Sequence, residues 1–158
     1  MCKYRREGVE EEPGEEAAVV VRGAGVRLLP IQRVVVVPFS KAGKVADAFR
    51  GYGLYVGSVV LTRFDGQESA IAYQKKLESL GIKVYRHYPI SGYPGNVPLI
   101  ISDDGFGKNE YIETTRSLVV VTAPGPGSGK MAVCLSQLYH DHKRGICAGY
   151  AKFETFPI

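Results

Sequence analysis

The sequence predicts an α/β domain with a mainly parallel sheet and helices on both faces. Three observations carry this. Apolar runs of about five residues alternate with amphipathic stretches of three to four helical turns, the pattern of successive βαβ units. The stretch Ser117–Gly145 reads SLVVVTAPGPGSGKMAVCLSQLYHDHKRG: an apolar run, a Gly/Pro loop ending in Gly-Lys, then an amphipathic segment. Strand, loop, helix is the order in which a parallel sheet builds a phosphate site. Finally, 158 residues with 45% hydrophobic and 23% charged side chains fit one soluble globular domain. Together they describe a Rossmann-like, three-layer fold with a phosphate-loop-like strand–loop–helix.

Residues 1–30 show no clear period, and their Glu-rich run reads as a solvated tail. Arg33–Pro38 (RVVVVP) is a strand by its β-branched residues, although nothing before it makes a convincing partner. Val45, Ala48, Phe49 and Tyr52 sit at helical spacing, and Gly51 and Gly53 close that short helix. Leu54–Phe64 is a β-rich run centred on Ser58–Thr62. Asp65-Gly66 turns the chain into a helix over Gln67–Leu80, with Ile71, Leu77 and Leu80 inward and Gly81 as its cap. Ile82–Tyr85 is the next strand, Tyr88–Pro98 a loop, and Leu99–Ser102 a short strand ending at Asp103-Asp104. A polar loop, Gly105–Arg116, leads to the strand Leu118–Val121. In the helix that follows the Gly/Pro loop, Met131, Cys134, Leu135, Leu138 and His142 share one face, and Gly145 supplies a left-handed stop. Ala148–Phe153 is the final strand.

The candidate site follows from this order. Parallel strands joined by right-handed crossovers place their carboxyl ends along one rim, where α/β proteins bind ligands. That rim collects Arg63 and Asp65, Arg86 and His87, Asp103 and Asp104, the loop Pro124–Lys130, and Glu154, with Lys108 and Asn109 just beyond. The phosphate-loop pattern is Gly, four residues, then Gly-Lys-Ser/Thr. Here Pro124 stands for the first Gly and Met131 for the Mg²⁺-binding hydroxyl. Gly125, Gly127, Ser128, Gly129 and Lys130 remain as phosphate-binding residues: amide donors and a cation. Arg63 or Lys108 would add charge, while Asp103 and Asp104 would hold a hydrated Mg²⁺ or a sugar hydroxyl. The plainer alternatives are a tight turn for the glycines and a loop start for the two Asp residues. His87 is the one histidine on the rim and a weak general-base candidate. His140 and His142 point to different helix faces and make no metal pair. No catalytic residue emerges, and whether the domain is an enzyme stays open.

Net charge is +4, and beyond the acidic first 16 residues the remainder carries +7, which favours small anionic ligands. No basic run is dense enough to argue for nucleic acid. Cys2, Cys134 and Cys147 form no CxxC pair, and no signal peptide accompanies them, so the expected compartment is reducing and cytoplasmic. The longest apolar runs are four or five residues, far short of a membrane span.

From about Gly51 onward the segments YGLYVGSVVLTRFDGQ, LGIKVYRHYPISGYP, SDDGFGKNEYIETTR, LVVVTAPGPGSGKMAVCLSQLYHDHKRG and AGYAKFETFPI resemble a bacterial family, domain of unknown function 1846 (uncharacterised protein family 0371). Five matches in the right order are specific in a way no short motif is. The resemblance implies a cytosolic α/β protein and supplies no reaction. It also implies a fragment, since members of that family run much longer, and residues upstream of about Asp47 carry no likeness to it. Residues 1–40 are thus expected to be an atypical, poorly ordered N-terminal segment, and 41–158 a partial Rossmann-like α/β domain. The missing C-terminal region, or a second copy of the chain, is the partner to expect. Two functions follow as expectations: nucleotide or phosphate-ligand binding at the loop, or a structural module of a larger protein with no ligand site of its own.

Overall fold

A computed structural model of the chain describes residues 17–22, 32–38, 51, 56–123 and 127–152. The expected helix around Val45–Tyr52 and the residues Pro124, Gly125 and Glu154 lie outside the described residues. Six strands form one sheet: β1 (Ala17–Arg22), β2 (Gln32–Pro38), β3 (Val56–Thr62), β4 (Lys83–Arg86), β5 (Leu118–Thr122) and β6 (Ala148–Lys152). Three helices accompany them: α1 (Glu68–Ser79), the single turn α2 (Val97–Ile100) and α3 (Lys130–Lys143). The strand order is β4-β3-β2-β5-β1-β6. The β4-β3, β3-β2 and β2-β5 pairings are parallel, and β1 is antiparallel to both β5 and β6.

The mixed α/β class with a parallel sheet is therefore observed. β2 finds its partners after it in the chain, pairing Val36 with Val60 of β3 and Val34 with Val121 of β5. Ala17–Arg22, to which the sequence reading assigned no element, is a strand. The run AAVVVR carries no alternation of apolar and polar residues, so it has no strand period to detect.

β3 shows how the two faces are built. Val59 and Leu61 pack with Leu77 of α1 and Ile82, whereas Val60 joins Val34, Ile112, Val119, Val121, Val133 and Cys134 beneath α3. Successive strand residues point to opposite faces, so α1 and α3 cover opposite sides. The expected inward face of α1 needs correction: Ala70 and Leu77 are buried, while Leu80 is 50% exposed because it follows the last helical turn.

Two larger corrections concern the approach to β5. Leu99–Ser102 is not a strand, because residues 97–100 form a helical turn with Pro98 in its first positions, where a missing N–H costs nothing. The buried face of α3 is the predicted one only in part: Cys134 is buried and Leu138 packs against the core as expected, but the face is shifted. Val133, Cys134, Ser136, Gln137 and Asp141 are buried, whereas Met131 and His142 are exposed. A polar stripe faces inward because it has a polar job. The Gln137 amide donates to the Ile112 carbonyl at 3.0 Å and accepts the Ile112 N–H at 3.1 Å. Ser136 Oγ donates to the Phe106 carbonyl at 3.2 Å and accepts from Asn109 Nδ2 at 3.1 Å, and the Tyr111 hydroxyl donates to Asp141 at 3.1 Å. These bonds satisfy an irregular segment that has no ladder of its own. The same segment runs beside β4: Arg86 N–H bonds the Glu110 carboxylate at 2.7 Å, and Lys83 pairs with Glu113 at 2.9 Å. It covers the outer edge of the sheet.

Candidate functional site

The site is built where β5 gives way to α3. Apolar β5 ends on Thr122, and the chain enters α3 through Gly127 and Gly129, at φ +70° and +95°. Gly129 is required twice. Its left-handed conformation suits glycine, and an added Cβ would stand 3.2 Å from Thr62 Cγ2. The end of β3, one strand beyond β2 in the sheet, holds the loop. Thr62 Oγ1 donates to the Ser128 carbonyl at 3.0 Å, and Arg63 Nη2 to the Gly127 carbonyl at 3.3 Å.

With those carbonyls engaged, donors are left over. The first helical hydrogen bond of α3 runs from Val133 N–H to the Gly129 carbonyl at 2.9 Å, so the amides of Met131 and Ala132 have no partner within the helix. No side chain caps this end. Ser128 is 4% exposed and Thr122 3% exposed, and neither hydroxyl has a hydrogen-bond partner. An orphaned buried hydroxyl costs about 1–3 kcal/mol. The helix dipole adds partial positive charge, with Lys130 half-buried at the first helical position. The arrangement offers N–H, O–H and cationic groups together, which is the chemistry of anion recognition.

The other residues expected on the rim divide. Arg63 is beside the loop. His87 is not on the rim: it is 4% exposed, and its Nε2–H donates to the Glu110 carbonyl at 3.2 Å. Burial lowers its pKa to about 4, the Glu110 carbonyl opposes that, and nearby His140 lowers it further. It is a neutral structural imidazole. Asp103 lies at the other end of α3, where it accepts from the Tyr139 hydroxyl at 2.8 Å and pairs with Lys143. Thirteen residues of helix, about 20 Å, separate Lys143 from Lys130. Asp104 is next to it and exposed, and exposed Lys108 places its ammonium 5.3 Å from the Tyr88 ring. A strand over residues 99–102 would put Asp103 and Asp104 on the rim and Lys108 just beyond it. The helical turn there moves them away. Cys134 is fully buried, and burial pushes its thiol up to about 12.

Sequence reasoning missed Thr62 and Thr122. Their signal is plain in retrospect: VVLT and VVVT each end an apolar run on a hydroxyl, at the carboxyl ends of two strands of the sheet. No group of three or more His, Cys, Asp and Glu side chains placed to hold a metal occurs among the described residues.

A family model described as domain of unknown function DUF1846, N-terminal, matches residues 39–158. The chain belongs to this family. The DUF1846 match takes in β3 through β6 and both sides of the loop. Among curated relatives, the chain is 61% identical to a UPF0371 protein of Clostridioides difficile (strain 630) over 115 residues. It is 62% identical to one of Clostridium botulinum (strain Langeland) and 60% identical to one of Clostridium tetani (strain Massachusetts), each over 115 residues. Each of these alignments covers 73% of the chain but only 23% of the relative, so the chain spans about a quarter of the length of the relatives it matches. No helix among the described residues is long and apolar enough to cross a membrane.

Proposed function

We propose that this DUF1846 domain binds the phosphate group of a small ligand, such as a nucleotide, at the turn Gly127–Lys130. The observation that carries the reading is the Ser128 hydroxyl, buried without a partner immediately before an uncapped helix N-terminus. The strand order supports it as well. The chain moves outward from β2 to β3 and β4, then returns to the other side of β2 as β5. That reversal is the hallmark of a Rossmann-like sheet, and ligands bind at such a switch point, outside the carboxyl ends of the strands. Gly125 belongs to the same proposed loop. The cytoplasm, with its phosphorylated metabolites, is the setting this reading implies.

A thermal-shift screen of the chain and its Lys130→Ala variant against nucleotides, sugar phosphates and inorganic phosphate tests the proposal. A shift for one ligand class that the variant loses is the expected result. A cooperative melt that no phosphate compound moves would sink it.

One observation favours a second reading, a structural module within a longer protein. Tyr93, Val97 and Ile101 are 38%, 54% and 58% exposed in a domain that spans 23% of its relatives' length. In that case the Gly127–Lys130 turn serves packing alone, and Lys130→Ala leaves stability and assembly unchanged.

A further inference from the structure

We infer that the site takes its phosphate without a divalent metal ion, with Arg63 supplying the positive charge a metal would otherwise bring. This rests on the phosphate-site reading above and goes beyond it by fixing the form in which the anion is bound. The donor set carries the inference. The amides of Met131 and Ala132 and the guanidinium of Arg63 offer hydrogens to an anion and carry no lone pair for a cation, and the orphaned Ser128 hydroxyl adds one more donor. The hydroxyl that holds Mg²⁺ in a phosphate loop is replaced by Met131, whose side chain is 44% exposed. Asp103, the acid that would organise the metal, is committed to Tyr139 and Lys143 at the far end of α3, with Asp104 beside it. Asp65 follows Arg63 in an exposed turn. Among the described residues this leaves one carboxylate near the loop, and a divalent ion held by one carboxylate binds chiefly through water.

Arg63 is itself held in an uncommon shape. It is the one non-glycine residue with positive φ among the described residues, at +56°. Three bonds hold the turn around it: Phe64 N–H to the His87 carbonyl at 3.0 Å, Gln67 Nε2 to the Arg63 carbonyl at 3.1 Å, and Asp65 N–H to Gln67 Oε1 at 2.9 Å. Backbone of this kind is found where surrounding structure enforces it, and it concentrates at ligand sites. It brings the guanidinium to the Gly127 carbonyl through Nη2. The remaining guanidinium N–H groups have no partner among the described residues and suit the planar, two-pronged recognition of phosphate oxygens.

The test is titration of the full chain with inorganic phosphate, in excess EDTA and again with Mg²⁺. Equal affinity in the two conditions is expected. Arg63→Asn, which removes the charge but tolerates positive φ, should weaken binding at least about tenfold while melting as cooperatively as the parent. Arg63→Lys should restore part of the loss. Binding that requires Mg²⁺, or that ignores Arg63→Asn, overturns the inference and leaves the phosphate site standing. Absence of phosphate binding in both conditions removes the inference and the site together.

Discussion

Thr62 Oγ1 donates a 3.0 Å hydrogen bond to the carbonyl of Ser128, a buried contact between residues 66 apart in sequence. It ties the end of β3 to the turn that opens α3. The loop is thus held by a strand it neither precedes nor follows, and the shape of the candidate site depends on β3 as much as on β5.

Thr62→Val keeps the side-chain shape and removes the donor. The Ser128 carbonyl is then buried with one fewer partner, and the loss should be about 1–3 kcal/mol. Urea denaturation would show it as a lower midpoint at unchanged slope. Phosphate affinity should fall with it if the loop loosens.

Gly129→Ala meets two penalties. The left-handed backbone costs about 1–2 kcal/mol for a residue with a Cβ, and that Cβ would press on Thr62 Cγ2 at 3.2 Å. Adding Thr62→Ser removes the opposing methyl and should recover the contact part alone. A double-mutant cycle with no coupling would show that the backbone conformation accounts for everything.

Gln137 offers a sharper test of the polar stripe on α3. Gln137→Leu leaves the N–H and carbonyl of Ile112 unpaired in the core, at a cost of about 2–5 kcal/mol for two groups. Gln137→Glu keeps the acceptor for the Ile112 N–H but sets an oxygen against its carbonyl, so it should also destabilise. Hydrogen exchange at Ile112 should rise in both variants.

His87 predicts a pH dependence. Its pKa is lowered from 6.5 to about 4 in the folded protein, so the unfolded chain takes up the proton first. Stability is whole above about pH 6.5, declines as pH falls below it, and stops declining from this group below about pH 4. The total loss is on the order of 3 kcal/mol. Denaturation series at pH 7.5, 5.5 and 4 should show it, and His87→Gln should flatten it. A parent chain equally stable at pH 7.5 and 4 would contradict a buried neutral imidazole.

The regular part of this fold was legible in the sequence because periodicity reports burial. Val56–Thr62 and Leu118–Thr122 are largely apolar, β-branched runs, with both faces of β3 packed against core, and α1 ends where Gly81 allows it to turn. The irregular part was not. LIIS before two aspartates reads as a strand by composition, but Pro98 starts a helical turn, and the rim built on that strand lost Asp103 and Asp104 with it. On α3, Ser136, Gln137 and Asp141 look like solvent-facing positions, because a sequence does not show that a neighbouring segment lacks backbone partners. Positions near Thr62 and Ser128 depend on a contact between distant segments, which spacing along one segment cannot reveal.

The two faces of the sheet also differ in how far apart in the chain their residues lie. Val56, Val59, Leu61, Leu77 and Ile82 come from one βαβ unit, whereas the opposite core reaches from Val34 to Cys134. Closing short loops costs less entropy than closing long ones, so local contacts form first. Folding should nucleate in β3–α1–β4 and finish with the docking of α3. Leu77→Ala should then mainly slow refolding and Val133→Ala mainly speed unfolding in stopped-flow chevrons. The reverse pattern would place the nucleus on the other face. On this order of events the candidate site is the last part of the domain to form and, in unfolding, the first to be lost.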